Sequence, residues 1–361
     1  MLYICFNKNN NVKLIEFKYF DGFWKLENFK LSEVNLVVGK NAVGKSRTIK
    51  GLNDTIQVLL QGKDIKSNEV FYAILLFINE LNDSIIYGFN YQNGKIIQED
   101  FIINGVAILK RDEKKTLLNK EIISPPNNKL TLHVRRDIKE HPYFEKIMQW
   151  AENSYGIVFN EADFIGGRGK KPYLMVQGEG LYDMLNSLSE ESVERVIKAA
   201  SIMEYSITKI EAVDDVKAVR FYEKDVKIPL WDFNLSKGMF RTLHLLIFLE
   251  YLSTLKAPQM LAIDDFCEGL DYERATKLGK YVFDFCLEHD IQLIASSNDS
   301  FLMGVVDVKY WNILQREGSI VKAINYQNNP ELFDNFELIG LNNFDLFSSD
   351  YIARYTAKKK A

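Results

Sequence analysis

An apolar run near the N-terminus leads into a loop with the pattern Gly-x-x-x-x-Gly-Lys-Ser. The glycines of such a loop let consecutive backbone N–H groups curl around a phosphate, the lysine reaches the β- and γ-phosphates, and the serine hydroxyl binds Mg²⁺. The sequence therefore predicts a phosphate-binding loop in which Lys45 contacts the phosphates and Ser46 the metal. The residues predicted to contact the nucleotide here are Gly39, Lys40, Asn41, Ala42, Val43, Gly44, Lys45, Ser46 and Arg47.

The elements on either side of this loop support the prediction. Val34, Leu36, Val37 and Val38 form an apolar run that is typical of a buried parallel strand. Apolar residues then recur at helical spacing over residues 46–60, which predicts a helix whose N-terminal end points at the same anion. The alternative is a glycine turn that binds no ligand.

Two more motifs lie in the second half of the chain. Leu235-Ser236-Lys237-Gly238 precedes an apolar helical pattern that ends near Leu255. A short apolar strand then ends in the carboxylates Asp264 and Asp265, with Gly269-Leu270-Asp271 close behind. Alone, Leu-Ser-x-Gly is a weak signal because serine is an ordinary helix N-cap. In this order and spacing, the set of motifs is specific.

With these motifs the chain resembles the ABC/SMC-type P-loop ATPase superfamily. It resembles more closely the compact AAA family ATPases of bacterial anti-phage defence operons, of the PARIS-like or overcoming-lysogenization-defect-like kind without a TOPRIM nuclease. The resemblance covers roughly residues 10–60 and 205–315. It identifies residues 39–46 as the Walker A motif, 235–238 as the ABC signature, 261–265 as Walker B and 269–271 as the D-loop.

The resemblance implies an α/β fold. The expected structure is a P-loop NTPase with an ABC-type nucleotide-binding domain, made of a parallel core sheet and an antiparallel β-layer, and an inserted helical lobe. We expect residues 1–124 and 205–325 to form the ATPase core, 125–204 the mainly helical lobe and 326–361 a C-terminal docking tail.

Local patterns add detail to this architecture. Asn93-Gly94 between two apolar runs predicts a β-hairpin. Residues 101–109 would extend the antiparallel layer, and residues 137–152 and 178–201 each predict a helix.

For the site, the resemblance implies ATP as the ligand and Mg²⁺ as its metal. Asp264 would hold the metal through its water shell, and Asp265 would act as the hydrolytic base. Most members have glutamate at the position of Asp265 and histidine at the position of Asn298, so this chain departs from the family twice. Asparagine can hydrogen-bond a γ-phosphate oxygen but carries no charge. A ten- to hundredfold loss of rate needs only about 1.4–2.7 kcal/mol, so we expect slow hydrolysis.

Members of the family clamp two ATP molecules between two copies arranged head to tail. In such a dimer, Ser236 and Gly238 of the signature and Asp271 of the D-loop would contact the nucleotide that Lys45 of the other copy binds. A single chain would then carry two half-sites.

The composition limits the classes of partner that the chain is expected to bind. The 45 Lys and Arg residues against 49 Asp and Glu residues give a net charge of −4, so the chain has no overall basic footprint for nucleic acid. A basic segment at residues 166–171 is either a phosphate or nucleic-acid contact or an ordinary solvated loop. Three cysteines without metal spacing predict a reducing, cytoplasmic location. No apolar run of about 18 residues exists to span a membrane.

These observations favour an ATPase that forms a dimer or higher oligomer around ATP. It would sense infection or DNA state and control a separate effector such as a nuclease or toxin. The defence role is implied by the resemblance only. A repair or SMC-like ATPase that acts directly on DNA remains the main alternative. A transporter ATPase subunit and a non-hydrolysing scaffold are further alternatives.

Overall fold

Apolar and polar side chains alternate along much of the chain up to residue 123, and the described residues of this part fold mostly into strands. In Val70–Asn79 every second side chain is buried, as the two-residue period of a strand with one covered face requires. The computed structural model describes residues 12–60, 70–159, 173–175, 180–255, 260–339, 343–348 and 351–352. The strands of these residues are β1 (Val12–Phe20), β2 (Lys25–Lys30), β3 (Val34–Val38), β4 (Val70–Asn79), β5 (Ser84–Gln92), β6 (Lys95–Ile103), β7 (Val106–Arg111), β8 (Thr116–Leu118), β9 (Glu121–Ile123), β10 (Ser154–Phe159), β11 (Tyr173–Met175), β12 (Ile207–Val213), β13 (Ala218–Glu223), β14 (Leu230–Trp231), β15 (Met260–Asp264), β16 (Gln292–Ser296), β17 (Trp311–Glu317) and β18 (Ile320–Asn325).

Several helices begin at a side chain that caps their first turn. Ser189, Ser236 and Asp271 each accept a hydrogen bond from the backbone N–H three residues further on, which satisfies one of the unpaired donors of a helix start. The α-helices of the described residues are α1 (Lys45–Leu59), α2 (Thr131–Val134), α3 (Pro142–Glu152), α4 (Leu181–Ser187), α5 (Glu190–Ile202), α6 (Lys237–Thr254), α7 (Tyr272–Glu288), α8 (Ser300–Val305), α9 (Pro330–Ile339) and α10 (Asn343–Ser348).

The described residues divide into two units. Unit 1 consists of those within Met1–Ser154 and Lys309–Asn335, and unit 2 of those within Tyr155–Val308 and Phe336–Ala361. In unit 1 the strand order is β3-β17-β18-β2-β1-β4-β5-β6-β7-β8-β9. β17 is parallel to β3 and β18 is parallel to β2, whereas the other neighbours are antiparallel. The strand before the phosphate-binding loop therefore lies beside β17.

Unit 2 holds the order β11-β10-β15-β16 and a separate small sheet, β12-β13-β14. β15 and β16 pair in parallel, with Ile263 opposite Ala295, and all five residues of each strand are buried. Parallel pairing brings the carboxyl ends of both strands to the same edge. Asp264 and Ser296 therefore lie at that edge together.

The predicted hairpin is confirmed. β5 and β6 are antiparallel, and both Asn93 and Gly94 have positive φ angles, of 51° and 75°, as a tight hairpin turn requires. The prediction that residues 101–109 extend the antiparallel layer is confirmed, because the segment joins two antiparallel strands, β6 and β7, through a turn at Asn104 and Gly105.

Two predicted helices are shorter than the periodicity suggests. Over residues 137–152 the helix begins only at Pro142, because Asp137 accepts hydrogen bonds from Lys139 and Glu140 N–H and forms a turn instead. Over residues 178–201 the pattern contains two helices, α4 and α5, because Ser189 starts a new helix. The region 125–204 also contains the strands β10 and β11, which periodicity did not predict.

The basic segment 166–171 and the final lysines lie outside the described residues. Within the described ranges, no helix is both long enough and apolar enough to cross a membrane. Cys267 and Cys286 are buried free thiols. Burial raises the pKa of both, so Cys267 is suited to packing rather than to nucleophilic chemistry.

A buried ion pair anchors the segment before α2 to the antiparallel strands of unit 1. The Glu99 carboxylate is fully buried and accepts hydrogen bonds from the Tyr87 hydroxyl (2.9 Å) and from the Thr131 N–H (2.8 Å). The Arg111 guanidinium lies 3.5 Å from it and donates to the carbonyl of Pro126. Burial raises the pKa of Glu99, and the Thr131 N–H counteracts this shift by stabilising the ionised form.

We predict that Glu99→Ala lowers the free energy of unfolding by about 3–5 kcal/mol, because it leaves the Arg111 guanidinium buried without its carboxylate. The matched control is Asp100→Ala on the same strand, where an exposed contact to Gln98 is lost and a change within about 0.5 kcal/mol is expected. Urea denaturation followed by circular dichroism measures both. Equal midpoints for the two variants would contradict a structural role for the pair.

Candidate functional site

The phosphate-binding loop in unit 1 depends on two glycines. A Cβ atom on Gly39 would lie 2.6 Å from Val43 Cγ1 and 3.2 Å from the carbonyl oxygen of Leu314, so no side chain fits there. Gly44 has a φ of 112°, and a Cβ on it would lie 2.9 Å from the ring of Trp24. The loop therefore adopts a path that only glycine allows at these positions.

Lys45 and Ser46 form the start of α1. The Lys45 side chain is buried and its Nζ donates hydrogen bonds to the carbonyl oxygens of Gly39 (2.9 Å) and Lys40 (3.4 Å). Ser46 is exposed in the first turn of the helix. The N-terminal end of α1 has no acidic side chain in its first turn. Its backbone N–H groups and the lysine therefore form a positive site suited to an anion.

Trp24, Asp21 and Arg316 lie outside the motif and were not expected from the sequence, and the first two contact Arg47, which was predicted to contact the nucleotide. Trp24 is buried under Gly44, and the Arg47 guanidinium lies 5.8 Å above the centre of its ring while pairing with Asp21 at 3.0 Å. On the other side, Arg316 of β17 donates a hydrogen bond to the carbonyl of Ala42 (3.1 Å), whose φ is 61°. Asp21 and Trp24 lie in the turn between β1 and β2 and Arg316 lies in β17, so no local spacing indicates these contacts.

In unit 2, Ser296 at the end of β16 contacts the side chain of Asp264 and the backbone of Asp265. Ser296 Oγ donates a hydrogen bond to Asp264 Oδ1 (2.6 Å) and accepts one from the Asp265 N–H (3.0 Å). Asp264 is buried, whereas Asp265 is half-buried with a φ of 48°. Asn298 is exposed two residues after Ser296. Tertiary structure thus gives Ser296 a part that the sequence analysis did not assign.

The signature and the D-loop are in direct contact. Ser236 caps α6 by accepting a hydrogen bond from the Met239 N–H (3.3 Å). A Cβ on Gly238 would lie 2.9 Å from the carbonyl oxygen of Gly269, so the two backbones approach as closely as glycine permits. The buried Arg241 side chain donates from Nη1 to the carbonyl of Glu268 (2.8 Å) and from Nη2 to its carboxylate (2.9 Å). These contacts fix the position of the D-loop relative to the signature and the start of α6.

A cleft of about 640 Å³ opens at this contact. Ser236, Gly238 and Asp271, which the sequence analysis assigns to a second copy's nucleotide, all line it. Charged side chains of both signs also line the cleft. The N-terminal end of α6, at Ser236 and Lys237, is exposed there. The complete lining is Glu204, Tyr205, Ser206, Glu223, Lys224, Val226, Ser236, Lys237, Gly238, Met239, Gly269, Leu270, Asp271 and Arg274.

The residues present fit the ligands that the motifs imply. Gly39 and Gly44 leave the space and the backbone path that a phosphate cradle needs. Mg²⁺ prefers oxygen ligands and keeps several of its waters. In unit 1 the exposed Ser46 offers a hydroxyl oxygen of this kind.

No family model and no curated protein matches the chain. The chain is similar to the solved Smc head domain with an extended coiled coil bound to the C-terminal domain of ScpA, derived from Pyrococcus furiosus. The TM-score is 0.50 at 11% identity, over 90% of this chain and 100% of that chain. It is also similar to the SMC head domain from Thermotoga maritima, with a TM-score of 0.47 at 12% identity over 87% and 98% of the two chains. The described chain has an SMC head-like, mixed α/β fold, and the predicted fold class is confirmed.

We predict that Gly44→Ala weakens ATP binding at least tenfold, because alanine resists the φ of 112° and its Cβ would collide with Trp24. Gly105→Ala is the control, since Gly105 also has a positive φ, of 78°, but no atom lies within 4 Å of the added Cβ. Isothermal titration calorimetry with ATP and Mg²⁺ measures both variants. Parental affinity in Gly44→Ala would show that the observed loop path is not needed for binding.

Proposed function

We propose that the chain is an ATPase that binds ATP with Mg²⁺, closes head to tail around it with a second copy, and acts as a switch for a separate effector protein. The observation that carries the proposal is the cleft of unit 2. Three residues assigned from the sequence to the nucleotide of a second copy, Ser236, Gly238 and Asp271, line one open surface. The SMC head-like fold supports the same assignment.

In this proposal the phosphate-binding loop supplies the affinity. The Lys45 ammonium and the N–H groups of α1 offset the charge of the β- and γ-phosphates. Mg²⁺ neutralises further phosphate charge when it is bound. Ser46 supplies a hydroxyl ligand, and Asp264 acts on the metal's water shell, held in place by Ser296 Oγ at 2.6 Å.

Hydrolysis requires a carboxylate that orients the attacking water and accepts its proton. We assign this role to Asp265, whose backbone N–H is fixed by Ser296. Its side chain is one methylene shorter than glutamate, and Asn298 supplies a neutral amide in place of the positive charge that histidine can carry. Both features support slow turnover, which suits a switch better than a motor.

A switch needs a partner that responds to it. Among the described residues, the motifs account for ATP binding and hydrolysis and for no second reaction. The proposal therefore assigns the downstream activity to another protein, such as a nuclease or toxin. The similar Pyrococcus furiosus Smc head domain was solved bound to a domain of ScpA, which supports docking of a protein partner. The motif resemblance to anti-phage ATPases supports a role in defence.

We predict that Asp265→Ala lowers kcat for ATP at least tenfold while leaving ATP affinity near that of the parent. Asp265→Glu should keep or raise kcat, because it restores the usual reach of the base. Asp284→Ala, which removes an exposed carboxylate from α7, serves as the control with unchanged kcat. Release of phosphate is the measurement. An Asp265→Ala variant as fast as the parent would assign the base elsewhere.

We also predict that Ser236→Arg abolishes ATP-dependent association and hydrolysis but leaves ATP binding to each chain nearly intact. The added side chain would fill the cleft that the second nucleotide must enter. The control is Thr254→Arg, which places the same bulk at the exposed far end of α6. This control should not block association.

Light scattering with a slowly hydrolysed ATP analogue tests assembly. The proposal expects a larger species for the parent and for Thr254→Arg, and none for Ser236→Arg. A parent that is monomeric in every nucleotide state, yet hydrolyses ATP at a rate per chain independent of protein concentration, would rule out a composite site.

A further inference from the structure

The D-loop carboxylate Asp271 is fixed through both of its oxygens. Oδ1 accepts a hydrogen bond from the backbone N–H of Arg274 (3.0 Å), which caps α7, and Oδ2 lies 2.6 Å from Arg274 Nη1. The backbone N–H of Arg274 is the largest cause of the lowered pKa of Asp271. Although its side chain is half-exposed, Asp271 therefore has one preferred orientation at the wall of the cleft.

Arg274 makes two further contacts, and both lead away from the D-loop. Its Nε donates a hydrogen bond to the carbonyl oxygen of Met203 (3.1 Å), and its guanidinium lies 4.8 Å from the centre of the Tyr205 ring. Met203 is the residue at which α5 ends. A cation is favourable at this end of a helix because the last carbonyl groups lack partners within the helix. Arg274 thus joins the D-loop to the C-terminal end of α5.

The turn after α5 has little freedom to move by itself. Glu204 has a φ of 61°. Its ion pair with Lys277, one turn further along α7 than Arg274, is solvent-exposed and restrains the turn only weakly. The Tyr205 N–H donates to the carbonyl of Ala200 (3.0 Å). Glu204 and Tyr205 also line the cleft. A shift of α5 would therefore be carried into the cleft wall.

α5 is also bound to the signature helix. Arg195 in α5 reaches both carboxylate oxygens of Glu250 in α6, at 3.2 and 3.0 Å from its Nε. Glu250 is buried, so its charge depends on this pairing. One helix is thus connected to the two elements that form the cleft, to α6 through Arg195 and to the D-loop through Arg274.

We propose that Arg274 is a positioning residue that couples α5 to the composite ATP site. It holds Asp271 in the orientation that meets the nucleotide of the second copy, and it makes that orientation depend on where α5 lies. This inference rests on the proposed function, because the cleft acts on ATP only when a second copy brings it there.

The test compares Arg274→Gln, Arg274→Lys and the matched control Lys277→Gln. Glutamine removes the charge that orients Asp271. Lysine keeps a cation for Asp271 but lacks the planar group that also donates to Met203 O and stacks on Tyr205. Lys277 lies on the same helix and contacts the same turn without touching the D-loop. Each variant is measured for ATP affinity by calorimetry, analogue-dependent association by light scattering, and kcat and KM by phosphate release.

We expect Arg274→Gln to lower kcat and the association constant about tenfold each, with ATP affinity per chain unchanged. Arg274→Lys should recover part of both losses, and Lys277→Gln should match the parent. Equal losses in Arg274→Gln and Lys277→Gln would indicate a general effect on α7 and overturn the proposal. So would parental kcat and association in Arg274→Gln.

The variant Ser236→Arg, measured alongside, separates the two proposals. If Ser236→Arg abolishes hydrolysis and association while Arg274→Gln changes neither, the coupling role fails and the composite site stands. If Ser236→Arg behaves as the parent, the composite site itself fails and the coupling role fails with it.

Discussion

The candidate nucleotide site depends on a buried ammonium group at the positive end of a helix. A cation is unfavourable at a helix N-terminus, and a buried charge needs close partners. The loop meets this demand by turning the carbonyl oxygens of Gly39 and Lys40 toward Lys45. Only glycine permits that path, since a Cβ on Gly39 or Gly44 would overlap neighbouring atoms. A bound phosphate would relieve the remaining excess of positive charge, so the requirements of the fold and of the ligand coincide.

In unit 2, close contacts bring the start of α6 and the D-loop to one surface. The contact between Gly238 and the Gly269 carbonyl sets their distance, and the Arg241 fork on Glu268 sets their orientation. Hydrogen bonds to charged groups are among the stronger ones, at about 1.5–3 kcal/mol. Because Arg241 is buried, its fork is less screened by solvent than the exposed ion pairs of the chain. The cleft is thus the product of backbone approach rather than of a large apolar cavity.

The backbone at Asp265 offers a physical reason for an aspartate where the ATPases that the motifs resemble usually have glutamate. Its φ of 48° lies in the left-handed region, which aspartate and asparagine enter more readily than most other residues. The Ser296 hydroxyl stabilises this conformation by accepting the Asp265 N–H. Ser296 thus fixes the backbone that carries the shorter carboxylate.

The sequence alone determined the glycine loop, the strand and helix that flank it, the Asn93-Gly94 hairpin and the order of the motifs. These features are local, because they depend on φ preferences and on periods of two or 3.6 residues. Local signals also existed for one miss, since Ser189 followed by Glu190 and Glu191 is a helix start that periodicity over residues 178–201 concealed. Only the tertiary structure decided that Ser296 holds Asp264, that Arg111 meets Glu99 and that Arg274 reaches Met203, 71 residues earlier. Such pairs are chosen by which elements pack together, and no spacing along the chain records that choice.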